Sequence, residues 1–190
     1  APLKIGSLLP ETGSLAFLGP PEFAGVDLAV ADINAAGGVL GQDVEHVRGD
    51  SGDTTTEIAQ TTVDSHLAAG VSAIVGAASS SVSFTVIDKI TSAGVVHFSP
   101  ANTSPDFTTY DDGGMYFRTA PSDLLQGAIV GNEVVSDGNE NVAIIYQQSA
   151  YGEGLEAKAK ATIEAAGATV VSSLAFPEAE TNFDSIVDQT

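Results

Sequence analysis

The sequence predicts an α/β fold with a mostly parallel sheet flanked by helices, and three observations lead there. Short apolar runs alternate with stretches of helical periodicity along the whole chain. The connections between them are short, so each strand–helix–strand unit implies a right-handed crossover and parallel strands. At 190 residues, 43% of them hydrophobic, the chain is long enough to bury the core that such a sheet needs.

In order, residues 3–9 read as the first strand. Residues 22–36 read as a helix with Phe23, Val26, Val30 and Ile33 on one face, ended by the Gly37-Gly38 pair. Residues 44–48 make a second strand. Thr54 followed by Glu57 has the spacing of a capping box, opening a helix through Leu67 that Gly70 closes. A buried strand at 73–75, a helix at 80–93, a strand at 95–99 and a loop over 100–112 follow. Residues 115–119 supply one more strand. Pro121 then interrupts the chain, so a lobe boundary is expected at 120–121, with a first lobe over 1–120 and part of a second over 121–190. The second lobe reads as helix 122–135, strand 142–146, helix 152–166 and strand 169–175. Residues 183–187 open another helix with no strand after it, the pattern expected of a truncated lobe.

The chain carries 25 acidic residues against 6 basic ones, a formal net charge of -19. That balance excludes nucleic acid and anionic membrane surfaces as partners, since both are recognised by clustered Lys and Arg. The carboxylates run from Glu11 to Asp188 among well-patterned apolar segments, which reads as a solvated acidic shell rather than a disordered tail. There is no cysteine, hence no disulfide and no thiolate metal site. No run approaches the roughly 18 apolar residues of a membrane span. A strand-like stretch already starts at Leu3, so the sequence reads as mature or trimmed rather than as opening with a signal peptide.

Ligands of parallel sheets bind beyond the carboxyl ends of the strands, where loops feed helix N-termini. Three loops sit at such ends: residues 10–19, residues 77–81 and residues 99–105. The serines at 79–81 offer hydroxyls and backbone N–H groups to a carboxylate, with plain N-capping as the competing reading. The Ser99–Pro105 loop, small and pinned by two prolines, offers the Ala101 carbonyl and the Thr103 hydroxyl to an ammonium group, with an ordinary turn as the alternative. His46, His66 and His97 are isolated and lack metal-ligand spacing. Gly152-Glu153-Gly154 lacks the rest of a dinucleotide fingerprint and reads as a helix start. There is no Gly-x-Ser-x-Gly elbow and no Walker-type lysine.

Several segments together carry a resemblance: residues 5–13, residues 23–38 ending in Asp32-Ile33-Asn34-Ala35-Ala36-Gly37-Gly38, residues 75–81, residues 98–105, Phe117-Arg118-Thr119 and Tyr151-Gly152-Glu153-Gly154. In this order they are similar to the leucine/isoleucine/valine-binding proteins, type I periplasmic substrate-binding proteins of branched-chain amino-acid ABC importers. The resemblance implies two Rossmann-like lobes joined by a hinge, here the first lobe and part of the second. By position it implies that Ser80, beside Ser79, binds a ligand carboxylate. It implies likewise that Ala101 and Thr103 take the ammonium group and that Tyr151 approaches from the second lobe. The family position that is commonly aromatic is Leu18 here, with Phe17 adjacent, and Ala77-Ala78 replaces bulkier residues, implying a wider pocket. The family's chain is longer; it returns to the first lobe and adds an acidic residue for the ammonium group.

The expected function is that of a monomeric, extracellular or periplasmic solute-binding protein, lipid-anchored in its full-length form, that captures an amino acid for the membrane permease of an ABC importer. It would use no metal and no cofactor. The alternative is a ligand-sensing receptor domain for amides or amino acids. An enzyme, for example a hydrolase using Ser80, is disfavoured because a nucleophile needs an oriented base and none of the three loops contains a histidine. So much carboxylate repels itself in dilute buffer and is screened by salt, which predicts a salt-adapted protein. Its melting temperature should rise between low and molar KCl, as followed by circular dichroism; an unchanged or falling value would refute the adaptation.

Overall fold

A computed structural model describes all of residues 1–190. The chain divides into two compact units, one of Ala1–Asn102 and Asp111–Ala120, the other of Thr103–Tyr110 and Pro121–Thr190.

The first unit is built on five strands, β1 (Lys4–Leu9), β2 (Glu45–Asp50), β3 (Ala73–Gly76), β4 (Val96–Ser99) and β5 (Tyr116–Arg118). They lie in the order β2-β1-β3-β4-β5, and every neighbouring pair is parallel. Helices α1 (Gly19–Ala35), α2 (Ile58–Ala69) and α3 (Ser80–Ser92) make the crossovers. Alternate residues of each strand face opposite sides of a sheet. Leu8 of β1 and Ile74 of β3 therefore meet Val63 of α2 and Val82, Val86 and Ile90 of α3 in one buried cluster. On the other side, Ile5, Leu9, Val75 and Phe98 share a shallow apolar cleft with Val26 and Val30 of α1.

Close packing of α2 depends on glycine in the strands beneath it. A Cβ on Gly6 would lie 2.8 Å from the His66 ring, and one on Gly49 would lie 2.2 Å from Thr62 Cγ2. Helix α1 starts at Gly19, three residues before the start read from the sequence. Pro20 and Pro21 occupy its first positions, where the missing N–H costs nothing because it has no partner there. Ile33, expected on the inner face, is 41% exposed. The helix expected to open at Thr54 starts later. Helix α2 begins at Ile58 with Glu57 as an N-cap that makes no side-chain bond. Asp53 instead folds the preceding turn, its Oδ1 accepting from the Thr55 N–H at 2.9 Å and from the Thr55 hydroxyl at 2.5 Å. An Asx turn of this kind competes with helix initiation at the same residues.

The second unit holds two parallel strands, β6 (Asn141–Gln147) and β7 (Thr169–Phe176), with helices α4 (Asp123–Ser136), α5 (Ala150–Ala165) and the short α6 (Asp184–Val187). Ser122 and Ser149 cap α4 and α5 through bonds from Leu124 N–H (3.3 Å) and Gly152 N–H (3.0 Å). The two helices approach closely at glycines, for a Cβ on Gly127 would meet Lys158 at 2.8 Å and one on Gly131 would meet Thr162 at 2.7 Å. The stretch expected as a plain loop contains a 3-10 helix, Pro105–Thr109. It rests on α5, where a Cβ on Gly154 would lie 2.5 Å from Pro105 Cδ.

Two histidines are buried in the first unit. His66 Nε2 bonds to the Ser7 carbonyl at 3.0 Å. His97 is fully buried and stacks edge-on against Tyr116, with ring centres 5.2 Å apart. Burial disfavours the charged ring of His97 more than the Gly76 backbone favours it, so its pKa falls from 6.5 to about 4. Between those values the unfolded chain binds a proton that the folded chain refuses, so stability is full above pH 6.5 and is lost as pH falls towards 4. Glu22 runs the other way: desolvation raises its pKa to about 7, and its contribution is lost as pH rises from 4.5 through 7. A His97→Gln variant isolates the first effect. Its urea-unfolding free energy should fall less steeply than that of the parent between pH 6.5 and 4. Equal slopes would show that His97 is protonated in the fold.

Candidate ligand-binding site

Strands β3 and β4 are parallel and paired from Ala73↔Val96 to Val75↔Phe98, so their carboxyl ends emerge side by side. The chain leaves β3 through Ala77 and Ala78 and enters α3 with Ser79 as N-cap. It leaves β4 at Ser99 and turns through Pro100 and Ala101 to Asn102. Ser79, Ser80 and Ala101 thus stand at one rim of the first unit. The Ser79 hydroxyl accepts from Val82 N–H at 3.4 Å, so the capping reading of the serine cluster is right for this residue. Ser80 is the first residue of the helix and only 3% exposed. The first turn of α3, a helix of 13 residues, brings the positive end of its dipole to this rim.

The two corners are tied together by residues that the sequence reading did not single out. Ser99 Oγ donates to the Ala77 carbonyl at 2.7 Å and accepts from the N–H groups of Ala101 (3.2 Å) and Asn102 (2.9 Å). Asn102 Nδ2 donates to the carbonyls of Ala77 (3.0 Å) and Ala78 (2.9 Å), while its Oδ1 accepts from the Tyr116 hydroxyl at 3.0 Å. Ser99 and Asn102 are fully buried, and Tyr116 is 9% exposed. Ala77 and Ala78 are buried as well, Ala77 within the core cluster. The small side chain of Ala77 fits the core packing there.

The loop after β1 opens at the same rim and is fixed at its base. A Cβ on Gly19 would lie 2.0 Å from the Pro10 carbonyl oxygen, so α1 starts in contact with the end of β1 only because residue 19 is glycine. Asp50, at the end of β2, holds the other side. Its Oδ1 accepts from the N–H groups of Glu11 (2.9 Å), Thr12 (3.2 Å) and Gly52 (2.8 Å), and its Oδ2 from the Thr12 hydroxyl at 2.5 Å. Burial works against ionisation of Asp50, but these bonds together outweigh it and hold its pKa below the ordinary carboxylate value. Between these anchors Leu18 is half-buried and forms the N-cap of α1, whereas Phe17 is 72% exposed.

Thr103 and Tyr151 fall in the second unit. The Thr103 carbonyl accepts from Asp123 N–H at 2.9 Å, joining this stretch to the start of α4. Tyr151 stands 39% exposed in the first turn of α5. That turn sits on the end of β6, since a Cβ on Gly152 would lie 2.0 Å from the Gln147 carbonyl oxygen.

A Ser–His–Asp arrangement does occur in the first unit, away from Ser80. His46 Nδ1 lies 2.9 Å from Asp27 Oδ1, and His46 Nε2 lies 2.8 Å from Ser7 Oγ. Arg48 shares Asp27 at 3.2 Å and lies over the Phe23 ring at 4.1 Å. The distances suit nucleophile activation, but Ser7 is fully buried in the middle of β1 and has no route to a substrate. The relay fastens α1 to the sheet.

Comparison with known proteins agrees with this architecture. The model of the family described as periplasmic binding protein matches residues 2–190. Leu/Ile/Val-binding protein homolog 8 of Brucella abortus is 32% identical over 98% of this chain and 48% of its own length. Among solved structures, the branched-chain amino acid transporter substrate binding protein of Streptococcus pneumoniae, in complex with isoleucine, is 30% identical with a TM-score of 0.86. That alignment covers 100% of this chain and 54% of the other. A solute binding protein of an R. palustris ABC transporter, in complex with 4-hydroxybenzoate, reaches a TM-score of 0.89 at 22% identity over 100% of this chain and 50% of its own, a likeness of fold alone. The chain spans about half the length of the curated relatives it matches. Its parallel α/β fold and the match over residues 2–190 make this chain a member of the periplasmic binding protein family.

Proposed function

We propose that this chain is the ligand-capturing part of an extracellular or periplasmic solute-binding protein, which takes up a branched-chain or related amino acid and delivers it to the permease of an ABC importer. The observation that carries the reading is the pair of backbone-rich corners at one rim of the first unit, Ser79–Ser80 at the start of α3 and Ala101 after β4. Ser80 meets the ligand carboxylate at the positive end of α3, and the Ala101 carbonyl accepts from the ammonium group. Charge-assisted hydrogen bonds of this kind are short and strong. Thr103 adds its hydroxyl for the ammonium group, Tyr151 is a further ligand contact, and Phe17 and Leu18 bear on side-chain selectivity. The two units correspond to a first lobe and part of a second.

The reading is of a binder rather than an enzyme. The one Ser–His–Asp set is sealed inside the sheet, and binding of a zwitterion by convergent hydrogen bonds calls for no cofactor. Family membership and relatives named for leucine, isoleucine and valine support the substrate class. No helix is long and apolar enough to cross a membrane.

Isothermal calorimetry on the intact protein with amino acids, small amides and sugars tests the proposal. Leucine, isoleucine or valine should bind, and Ser80→Ala and Thr103→Ala should each weaken binding by roughly 1.5–3 kcal/mol, the range for hydrogen bonds to charged groups. Glu153→Ala, on the exposed start of α5, should leave affinity nearly unchanged. Binding of a sugar alone, or equal losses in all three variants, would refute the assignment.

A further inference from the structure

We infer that Asn102 is a positioning residue for ligand binding, its carboxamide setting the corner before Ser79–Ser80 against the corner that carries Ala101. The inference rests on the function proposed above.

Asn102 is fully buried, yet it lies one residue after Ala101 and donates to the carbonyl of the residue just before Ser79. The bonds fix its orientation without ambiguity. Carbonyl oxygens only accept, so the amide nitrogen must face Ala77 and Ala78, and the oxygen is left to accept from the Tyr116 hydroxyl. The main chain of Asn102 is held too, its N–H by Ser99 Oγ at 2.9 Å and its carbonyl by Arg118 at 3.4 Å.

The geometry explains why asparagine stands here. Two acceptors that follow one another along the backbone need two N–H donors from a single short side chain. Serine has one donor, aspartate has none, and alanine leaves the Ala78 carbonyl without this partner in a buried site, where an unmade bond is costly. Ala77 retains the Ser99 hydroxyl, so loss of Asn102 frees the Ala78–Ser79 peptide in particular. That peptide leads directly into the cap of α3. The corner should then shift relative to Ala101 while the sheet stays intact.

Such a shift acts on the groups that meet the ammonium and carboxylate ends of an amino acid, which are common to all amino acids. Calorimetry on the intact protein with leucine, isoleucine and valine, below the melting temperature of every variant, provides the test. Asn102→Ala should weaken all three ligands by the same factor, about ten-fold, as expected for one lost buried hydrogen bond. Asn102→Asp should lose more than Asn102→Ala, because a carboxylate would face two carbonyl oxygens. Tyr116→Phe should lose only a few-fold, again equally for all three, since both amide donors remain. It carries the test if the Asn102 variants do not fold. Phe17→Ala, in contrast, should change the ratios between ligands. Lowered melting temperatures with unchanged dissociation constants, or losses that differ between the three ligands, would reduce Asn102 to a core residue and overturn the inference. Failure of the unaltered protein to bind any of the three would instead bring down the proposed function, and this inference with it.

Discussion

The parallel pairing of β3 with β4 is the constraint from which the rest of the site follows. Parallel neighbours end at the same edge, so two loops 22 residues apart, at Ala77 and Ser99, come within one hydrogen bond of each other. An antiparallel pair would have placed them on opposite edges. Once side by side, the loops bury backbone carbonyls that water cannot reach, and each must find a donor inside the chain. Ser99, Asn102 and Tyr116 supply that network. The site is therefore organised as much by satisfaction of the buried backbone as by the side chains that would face a ligand.

The order of strands and helices was legible in the sequence because period and punctuation agree along most of the chain. It failed where two local rules compete. The first helix reads from residue 22 in the sequence, yet proline suits the first turn of a helix, and α1 begins at Gly19. Thr54 and Glu57 have capping-box spacing, but the Asx turn at Asp53 occupies that stretch and α2 starts only at Ile58. In the candidate site, the placement of the helix-start serines and of the polar loop after β4 at strand ends was legible. Which serine is spent on capping stays open in the sequence, although the helix read from residue 80 does begin there, with Ser79 as its cap. Asn102 was invisible for a deeper reason: a polar residue in a polar loop looks solvated until tertiary contacts bury it.

Electrostatics separates the interior from the surface. Three of the six basic side chains, Lys4, Arg48 and Lys89, form ion pairs at 2.9–3.3 Å, and all three are exposed enough for water to weaken them. They leave most of the 25 carboxylates unneutralised, so the ionic medium and not internal pairing sets the repulsion across the surface. Inside, the balance is reversed, for His97 is kept neutral by burial, while at the partly exposed end of β2 four donated bonds keep Asp50 ionised.

The relay of Asp27, His46 and Ser7 bears on how activities are assigned from coordinates. A template built on three side chains and two distances will retrieve this chain as a hydrolase, because its spacings of 2.9 and 2.8 Å meet the usual tolerance. What separates it from an acyl-transfer enzyme is access: the hydroxyl that should attack lies inside a β-strand with none of its surface open to solvent. Geometric matching of this kind needs a term for reachability of the reacting atom.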